Sequence, residues 1–254
     1  MEAFGRLLDV MDELRVKCPW DKKQTFESLR SNTIEETFEL TDAISNQDMH
    51  NICKELGDVL LHIVFYARMG EEQKNFDIKD VCDQLCEKLI FRHPHIYGDV
   101  KVNTDTDVKE NWEKLKLKEK DGNHSVLGGV PNALPALIKA YRVQDKARCA
   151  GFDWEERHQV WDKVREEIGE FQTEIERMDP NTMEAEFGDV LFSLVNAARL
   201  YKINPENALE RTNKKFIRRF NYLEQRTIKQ GRDLKTMSLA EMDAIWEEAK
   251  HAEE

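Results

Sequence analysis

The chain has 254 residues, of which 35% are charged, and its 50 acidic side chains outnumber its 38 basic ones, giving a net charge of −12. This charge disfavours nonspecific attachment to nucleic acid or to an anionic membrane, so we expect neither as a partner. No apolar run approaches the roughly 20 residues of a membrane-spanning helix, and the five cysteines include no Cys-x-x-Cys pair, so we expect a cytoplasmic protein without a disulfide framework.

Apolar residues recur at three- and four-residue intervals, as in Leu56, Leu60, Ile63 and Ala67, and this period is typical of amphipathic helices. Convincing β-alternation is absent, so we predict an all-α fold. The segment around Pro94 is predicted to be a loop. The predicted helices span residues 2–16, 25–45, 48–70, 77–91, 106–119, 134–149, 155–178, 181–201, 205–231 and 238–252.

One segment, "KDGNHSVLGGVPNALP", concentrates helix breakers between these predicted helices: Gly122, Gly128, Gly129, Pro131 and Pro135. We interpret it as an interdomain linker, which divides the chain into two parts of similar length. The predicted domains are residues 1–120 and 133–254, with the linker at 121–132.

The two predicted domains contain an internal repeat. A shift of 131 positions aligns "GDVL" at residues 57–60 with "GDVL" at 188–191 and continues without a gap to Arg68 and Arg199. Such a long register indicates two tandem duplicated helical domains.

Each repeat carries a cluster of carboxylates on two consecutive predicted helices. The first set is Glu35, Glu36, Glu39, Glu55 and Asp58, and the second is Glu166, Glu167, Glu170, Glu186 and Asp189. Residues three or four apart share one helix face, and a short connection makes the two helices antiparallel neighbours, so the carboxylates should face one another. Oxygen ligands without histidine suit Mg²⁺. The alternative interpretation is a solvated acidic face.

Basic residues follow each acidic hairpin at a four-residue spacing that could bind phosphate oxygens. In "RTNKKFIRRF" these are Lys215 and Arg219, and in "KLIFR" they are Lys88 and Arg92. The alternative is that these cations only solvate the surface and pair with the many glutamates.

Each predicted domain also ends with a tryptophan on a charged helix, Trp112 or Trp246, which could stack on a nucleobase or simply anchor the core. Lys163 precedes the second acidic pair, whereas Asn32 takes its place in the first repeat. The repeats are therefore not equivalent.

The pattern Glu-Glu-x-x-Glu followed by Glu-x-x-Asp on consecutive helices resembles the all-α nucleoside triphosphate pyrophosphohydrolases, and the tandem arrangement is similar to the MazG family. The stretches "CPWDKKQTFESL", "RHPHIYGD", "SVLGGVPNALPAL" and "GFDW" extend this resemblance over almost the full length.

The resemblance implies Mg²⁺-dependent hydrolysis of a nucleoside triphosphate (NTP or dNTP) to the monophosphate and pyrophosphate, in a homodimer whose helices join into four-helix bundles. It implies Mg²⁺ ligation by Glu167, Glu170, Glu186 and Asp189, and Glu166 or Glu167 would accept a proton from the attacking water. It also places Lys163, Lys215 and Arg219 near the phosphates and Trp246 near the nucleotide.

Several alternatives stay open at this point. The first carboxylate set could also be a site, although Asn32 in place of a lysine favours the second domain as the main catalytic one. A noncatalytic regulator or scaffold that binds nucleotide or Mg²⁺ would carry the same carboxylates. The preferred base and the phosphorus attacked are not specified by these residues, and an intramolecular bundle of the two halves is an alternative to a homodimer.

Overall fold

The structure is a computed structural model that describes residues 2–101, 104–116, 125–154, 156–229 and 231–252. Every regular element within these ranges is helical, which confirms the all-α prediction. The chain divides into two compact units, Met1–Thr104 and Asp105–Glu254. No helix in the described ranges combines the length and the apolarity needed to cross a membrane.

The first unit is built around a helical hairpin. Its helices are α1 (Glu2–Lys17), α2 (Phe26–Ser45), α3 (Met49–Glu72), α4 (Ile78–Arg92) and α5 (Pro94–Tyr97). Helix α2 packs along α3, and α1 packs on α3 as well. Asp48 makes the tight hairpin turn possible, because its carboxylate accepts hydrogen bonds from the backbone N–H groups of His50 and Asn51 at the start of α3. The buried core comprises Met11, Leu29, Val64, Phe65 and Met69.

The second unit repeats this hairpin and adds helices around it. Its helices are α6 (Asp105–Lys116), α7 (Ala136–Cys149), α8 (Gln159–Arg177), α9 (Pro180–Leu200), α10 (Pro205–Lys229) and α11 (Leu239–His251). Helices α8 and α9 pack together as α2 and α3 do, while α7 packs on α9 and α10, and α10 packs on α11. The turn between α8 and α9 uses Met178 in the left-handed region, with φ of 59°, and Pro180 in the first turn of α9, where its fixed φ suits a helix.

The division between the units differs from the predicted boundary. We expected the helix near residues 106–119 to close the first domain, but α6 belongs to the second unit and packs on α7. The reason is electrostatic: the Glu113 carboxylate accepts hydrogen bonds from Arg142 at 2.7 Å and Lys146 at 2.8 Å, both on α7. Residues 117–124, which include the start of the predicted linker, lie outside the described residues.

The predicted helices all have counterparts, and the described helix ends lie within four residues of the predicted ones. Helix α8 begins at Gln159 rather than 155, because the chain turns through residues 156–158. The predicted loop around Pro94 is wrong at residues 94–97, which form the short helix α5 with Pro94 in its first turn.

Candidate functional site

The α2–α3 hairpin brings three carboxylates of the first unit together. One oxygen from each of Glu36, Glu39 and Glu55 lies within 4.8 Å of the other two. The first two project from neighbouring turns of α2, and the third comes from α3. The short turn at Asp48 sets this register, because it places the two acidic segments at similar distances from the end of the hairpin.

The α8–α9 hairpin forms the corresponding cluster in the second unit. Here Glu167, Glu186 and Asp189 offer one oxygen each within 4.8 Å of one another. Glu167 is buried on α8, and the other two lie one turn apart on α9. Two of the three positions match the first cluster under the 131-residue shift, so the duplicated sequence produces a duplicated arrangement.

The remaining predicted carboxylates surround these trios. Reduced hydration raises the pKa of Glu170, and the nearby Glu167 carboxylate raises it further. In the first unit, burial raises the pKa of Glu36, and the charge of Asp58 is the next cause. Both shifts show that like charges crowd at the two sites, because each carboxylate makes ionisation of its neighbours less favourable. Glu35 adds a smaller contribution at Glu36.

A lysine accompanies each cluster, but it comes from opposite helices in the two units. Lys163 on α8 donates a hydrogen bond to Glu166 at 2.7 Å and lies 2.7 Å from Glu167. These two carboxylates raise the pKa of Lys163. In the first unit, Lys54 on α3 donates to Glu55 at 2.8 Å and lies 3.7 Å from Asp58.

The lysine of the first unit was missed by sequence reasoning. The shift of 131 residues pairs Lys54 with Ala185, and it pairs Lys163 with Asn32, so neither lysine is repeated. The available signal was the i, i+4 spacing of Lys54 and Asp58 on one helix face. Each carboxylate cluster thus has its own lysine, which comes from the second helix of the hairpin in the first unit and from the first helix in the second unit.

The donor chemistry of the clusters fits a hard divalent cation. All the ligands that the two trios offer are carboxylate oxygens, which Mg²⁺ prefers over nitrogen or sulfur. Glu55 is only 5% exposed, and its Oε2 is buried without a hydrogen-bond partner in the described part of the chain. A buried carboxylate oxygen without a partner is costly, and a bound cation would offset that cost. The residues present therefore fit Mg²⁺.

A cavity of about 570 Å³ adjoins the cluster of the second unit. Lys163, Glu167 and Asp189 line one part of it. Aromatic side chains line another part, namely Phe152 and Trp154 from the segment before α8 and Phe192 from α9. The polar residues Gln144, Ser193, Asn196 and Arg199 complete much of the wall. The carboxylates thus stand beside a space with both apolar and hydrogen-bonding walls.

The predicted phosphate-binding residues of the second unit lie on α10 and α11. Trp246 packs on Phe216, with ring centroids 5.1 Å apart. The hydrogen bond from Lys250 is the main cause that lowers the pKa of Glu247, and the charge of Arg219 adds a smaller contribution. Lys215 is exposed on α10. None of Lys215, Arg219 and Trp246 lines the cavity beside the carboxylates, so their contact with a nucleotide stays a prediction.

The corresponding residues predicted for the first repeat are not all in one unit. Lys88 and Arg92 lie on α4 of the first unit. Trp112 lies on α6 of the second unit, where the ammonium of Lys116 stands over its ring at 5.5 Å from the centroid. The expectation that Trp112 closes the first domain is therefore corrected, because α6 is held to α7 by the ion pairs of Glu113.

Comparison with known proteins matches both hairpins to one domain family. The model of the MazG nucleotide pyrophosphohydrolase domain matches residues 24–97 and again residues 156–223. Each match includes one complete carboxylate cluster and the two helices that carry it.

Full-length relatives give the same result. The nucleoside triphosphate pyrophosphohydrolase of Escherichia coli (strain K12) is 39% identical over 260 residues, which cover 100% of this chain and 99% of that protein. The nucleoside triphosphate pyrophosphohydrolase/pyrophosphatase MazG of Thermotoga maritima is 41% identical, covering 99% of this chain and 97% of that protein. The uncharacterized protein YabN of Bacillus subtilis is 48% identical over 98% of this chain, which spans 52% of that protein.

Proposed function

The chain belongs to the MazG nucleotide pyrophosphohydrolase domain family, and we propose on this basis that it hydrolyses nucleoside triphosphates, ribo or deoxy, to the monophosphate and pyrophosphate in the presence of Mg²⁺. The observation that carries the proposal is the cluster of Glu167, Glu186 and Asp189 beside Lys163 and an open cavity. The names of the full-length relatives from Escherichia coli and Thermotoga maritima support the same reaction.

In this proposal, Glu167, Glu170, Glu186 and Asp189 hold the metal. When bound, Mg²⁺ supplies positive charge that orients the triphosphate and offsets the charge that develops on its oxygens. The helical hairpin keeps the carboxylates close together despite their repulsion, so the site is formed before substrate arrives.

Lys163 and Glu166 have complementary tasks in the reaction. The Lys163 ammonium bridges Glu166 and Glu167, which places a cation at the edge of the cluster where phosphate oxygens would enter. Donation from Lys163 to a phosphate oxygen would weaken its bond to Glu166. The Glu166 carboxylate, which is exposed, would then accept a proton from the attacking water, with Glu167 as the other candidate for this task.

We favour the second unit as the main catalytic one. Its lysine lies beside the two glutamates of the Glu-Glu pair on α8, whereas Lys54 of the first unit binds the buried Glu55 on α3 and extends towards Asp58. The lysine of the second unit therefore contacts Glu166, the proposed proton acceptor, as well as a proposed metal ligand. The second unit also has the adjoining cavity.

We also propose that the protein is a homodimer. An exposed apolar row recurs at the same positions of both hairpins: Leu56, Leu60 and Ile63 on α3, and Phe187, Leu191 and Leu194 on α9. The two triplets are related by the 131-residue shift, so the row is a repeated feature of the hairpin. Contiguous exposed apolar side chains are typical of interaction surfaces, and a second copy would cover them with matching rows.

Product identification tests the proposed reaction. The purified chain is incubated with each NTP and dNTP and Mg²⁺, and the products are separated by ion-exchange chromatography. Pyrophosphate with the monophosphate supports the proposal, while orthophosphate with the diphosphate contradicts it. Binding without turnover would favour the noncatalytic regulator.

A further inference from the structure

We propose that the cavity beside the second carboxylate cluster is the subsite that receives the nucleobase and sugar of the substrate, and that Gln144 and Asn196 contact the base. This inference rests on the proposed function, because it assumes that the triphosphate binds at the carboxylates. It places the base among residues different from Trp246, which the family resemblance had suggested.

The size and the shape of the cavity suit a nucleoside. A volume of about 570 Å³ lies within the range of roughly 300–1,000 Å³ that is typical of small-molecule sites. Lys163, Glu167 and Asp189 line the same cavity as Phe152, Trp154 and Phe192. A ligand with a charged end and an aromatic end could therefore contact both sets at once. A nucleoside triphosphate has this construction.

The polar wall offers hydrogen bonds of the kind that a base edge needs. Gln144 is buried, and its Nε2 donates to the backbone carbonyl of Phe192 at 2.8 Å. Its Oε1 is buried and has no hydrogen-bond partner among the described residues. A buried acceptor left unpaired costs on the order of 1–3 kcal/mol, so a ligand N–H that reached it would remove this cost.

Asn196 adds a donor to this acceptor. Its Oδ1 accepts hydrogen bonds from Arg199, at 3.1 Å from Nε and 2.9 Å from Nη2, and these bonds fix the orientation of the amide. Within the described ranges, the amide nitrogen of Asn196 has no such bond, so it can donate to a ligand in the cavity. Gln144 and Asn196 together present one acceptor and one donor, which is the minimum for reading a base edge.

The aromatic part of the wall is held in place by an ion pair. Arg199 on α9 is buried and donates from both terminal nitrogens to the Asp153 carboxylate, with 3.1 Å between Nη1 and Oδ2. Asp153 lies between Phe152 and Trp154, so this bidentate pair ties the aromatic segment to the helix that carries Asn196. Phe152 is 84% exposed, which leaves its ring available to a planar ligand.

The first unit has large side chains at the positions that face this cavity in the second. The 131-residue shift pairs Ser193 with His62 and Asn196 with Phe65. Phe65 belongs to the buried core of the first unit, and the buried His62 ring lies 2.8 Å from the hydroxyl of Thr33. The second unit has small polar side chains at both positions, and both of them line its cavity.

The test separates binding of the base from binding of the phosphates. Calorimetric titrations with Mg²⁺ present compare a non-hydrolysable α,β-methylene nucleoside triphosphate with inorganic tripolyphosphate, which has no base. The variants are Asn196→Phe, which introduces the side chain of the first unit, and Gln144→Leu. Gln172→Leu, at an exposed position of α8, is the matched control.

We expect Asn196→Phe to weaken binding of the nucleotide analogue at least tenfold and Gln144→Leu about fivefold or more, with tripolyphosphate affinity within twofold of the unsubstituted chain. Gln172→Leu should change neither. Equal weakening of both ligands by a variant whose thermal unfolding is unchanged would overturn the inference, as would unchanged analogue binding in both variants. Absence of NTP turnover by the unsubstituted chain would instead refute the proposed function, and the titrations would still report on the subsite.

Discussion

Lys163 and Glu167 form an ion pair one helical turn apart on α8, with 2.7 Å between Nζ and Oε1. In the first unit, Asn32 takes the place of the lysine, and the cation of the cluster is Lys54 on the other helix of the hairpin. The two clusters therefore have similar negative charges but present their lysines from opposite sides. This difference makes the units chemically distinct despite their common origin.

We predict that Lys163→Met lowers kcat/KM for NTP hydrolysis about 10- to 100-fold, because the variant loses the cation that we propose to contact the phosphate oxygens. Lys163→Arg should recover part of the activity, since it keeps the charge. Steady-state kinetics at saturating Mg²⁺ measure both. An Arg variant as impaired as the Met variant would indicate that the site needs the compact ammonium group rather than positive charge alone.

Glu167→Gln should reduce kcat by about 10²-fold or more, because the amide keeps the shape of the side chain but removes the charge of a proposed metal ligand from the cluster. Glu36→Gln, at the matching position of the first unit, should reduce it less than threefold. The exposed Glu176→Gln on α8 is the control for a lost surface charge. Comparable losses in the Glu36 and Glu167 variants would contradict our preference for the second unit.

The repeated apolar row should control assembly. Leu60→Asp together with Leu191→Asp should convert the proposed homodimer to a monomer, because burial of two carboxylates in an apolar interface is unfavourable by several kcal/mol. Light scattering coupled to size-exclusion chromatography gives the mass directly. Leu239→Asp alters an exposed apolar residue outside the row and should leave the mass unchanged. A monomeric unsubstituted chain would refute the proposed dimer.

Glu113 should make the second unit sensitive to acid. Burial opposes its ionisation, but hydrogen bonds from Lys146, Lys116 and Arg142 outweigh this and lower the pKa of Glu113 to about 2. Because the folded-state pKa lies below the ordinary value of about 4.5, the stabilisation is complete above pH 4.5 and is lost as the pH falls towards 2.

Glu113→Gln should therefore decrease the free energy of unfolding by about 2 kcal/mol at pH 7, and this difference should shrink steadily below pH 4.5. Urea unfolding at pH 7, 5, 4 and 3 measures the trend. Glu13→Gln breaks an exposed pair with Lys17 and should change the stability by less than about 0.5 kcal/mol at any pH. A difference independent of pH would show that the Glu113 charge is not the cause.

Gly70 on α3 lies against Phe76, and a Cβ there would come within 2.7 Å of both the ring and the backbone oxygen of that residue. Gly70→Ala should therefore destabilise the first unit by about 1–3 kcal/mol. Gly5→Ala is the matched change in α1, where no atom other than those of the adjacent helix backbone lies within 4 Å of the added carbon. It should stabilise the chain by up to about 1 kcal/mol through helix propensity, and chemical unfolding compares the two.

The sequence predicted the helices and the acidic hairpins well because both depend on local spacing. Glu36 and Glu39 share a helix face by their separation alone, and the short turn at Asp48 brings Glu55 to the same level. The domain boundary was harder to predict from the sequence, because the assignment of α6 depends on contacts of Glu113 with residues about 30 positions later. No local pattern near Glu113 specifies these partners.

The cavity could not be predicted from sequence spacing. It depends on small side chains at Ser193 and Asn196 and on the segment that Arg199 holds through Asp153. Each of these residues is ordinary in its own helix or turn. Comparison of the repeats does indicate a possible cavity, since His62 and Phe65 are much larger than Ser193 and Asn196. Only the three-dimensional structure shows that other side chains do not fill the space that the smaller residues leave.

The difference between Phe65 and Asn196 at matching positions also affects how the stability of each unit depends on a bound ligand. In the first unit, Phe65 fills this position and packs within the buried core. In the second unit, Asn196 lines a cavity instead, and a bound molecule would fill this space and make packing contacts that the chain itself does not supply. Substrate binding would then stabilise the second unit at a position where the first unit has its own aromatic side chain.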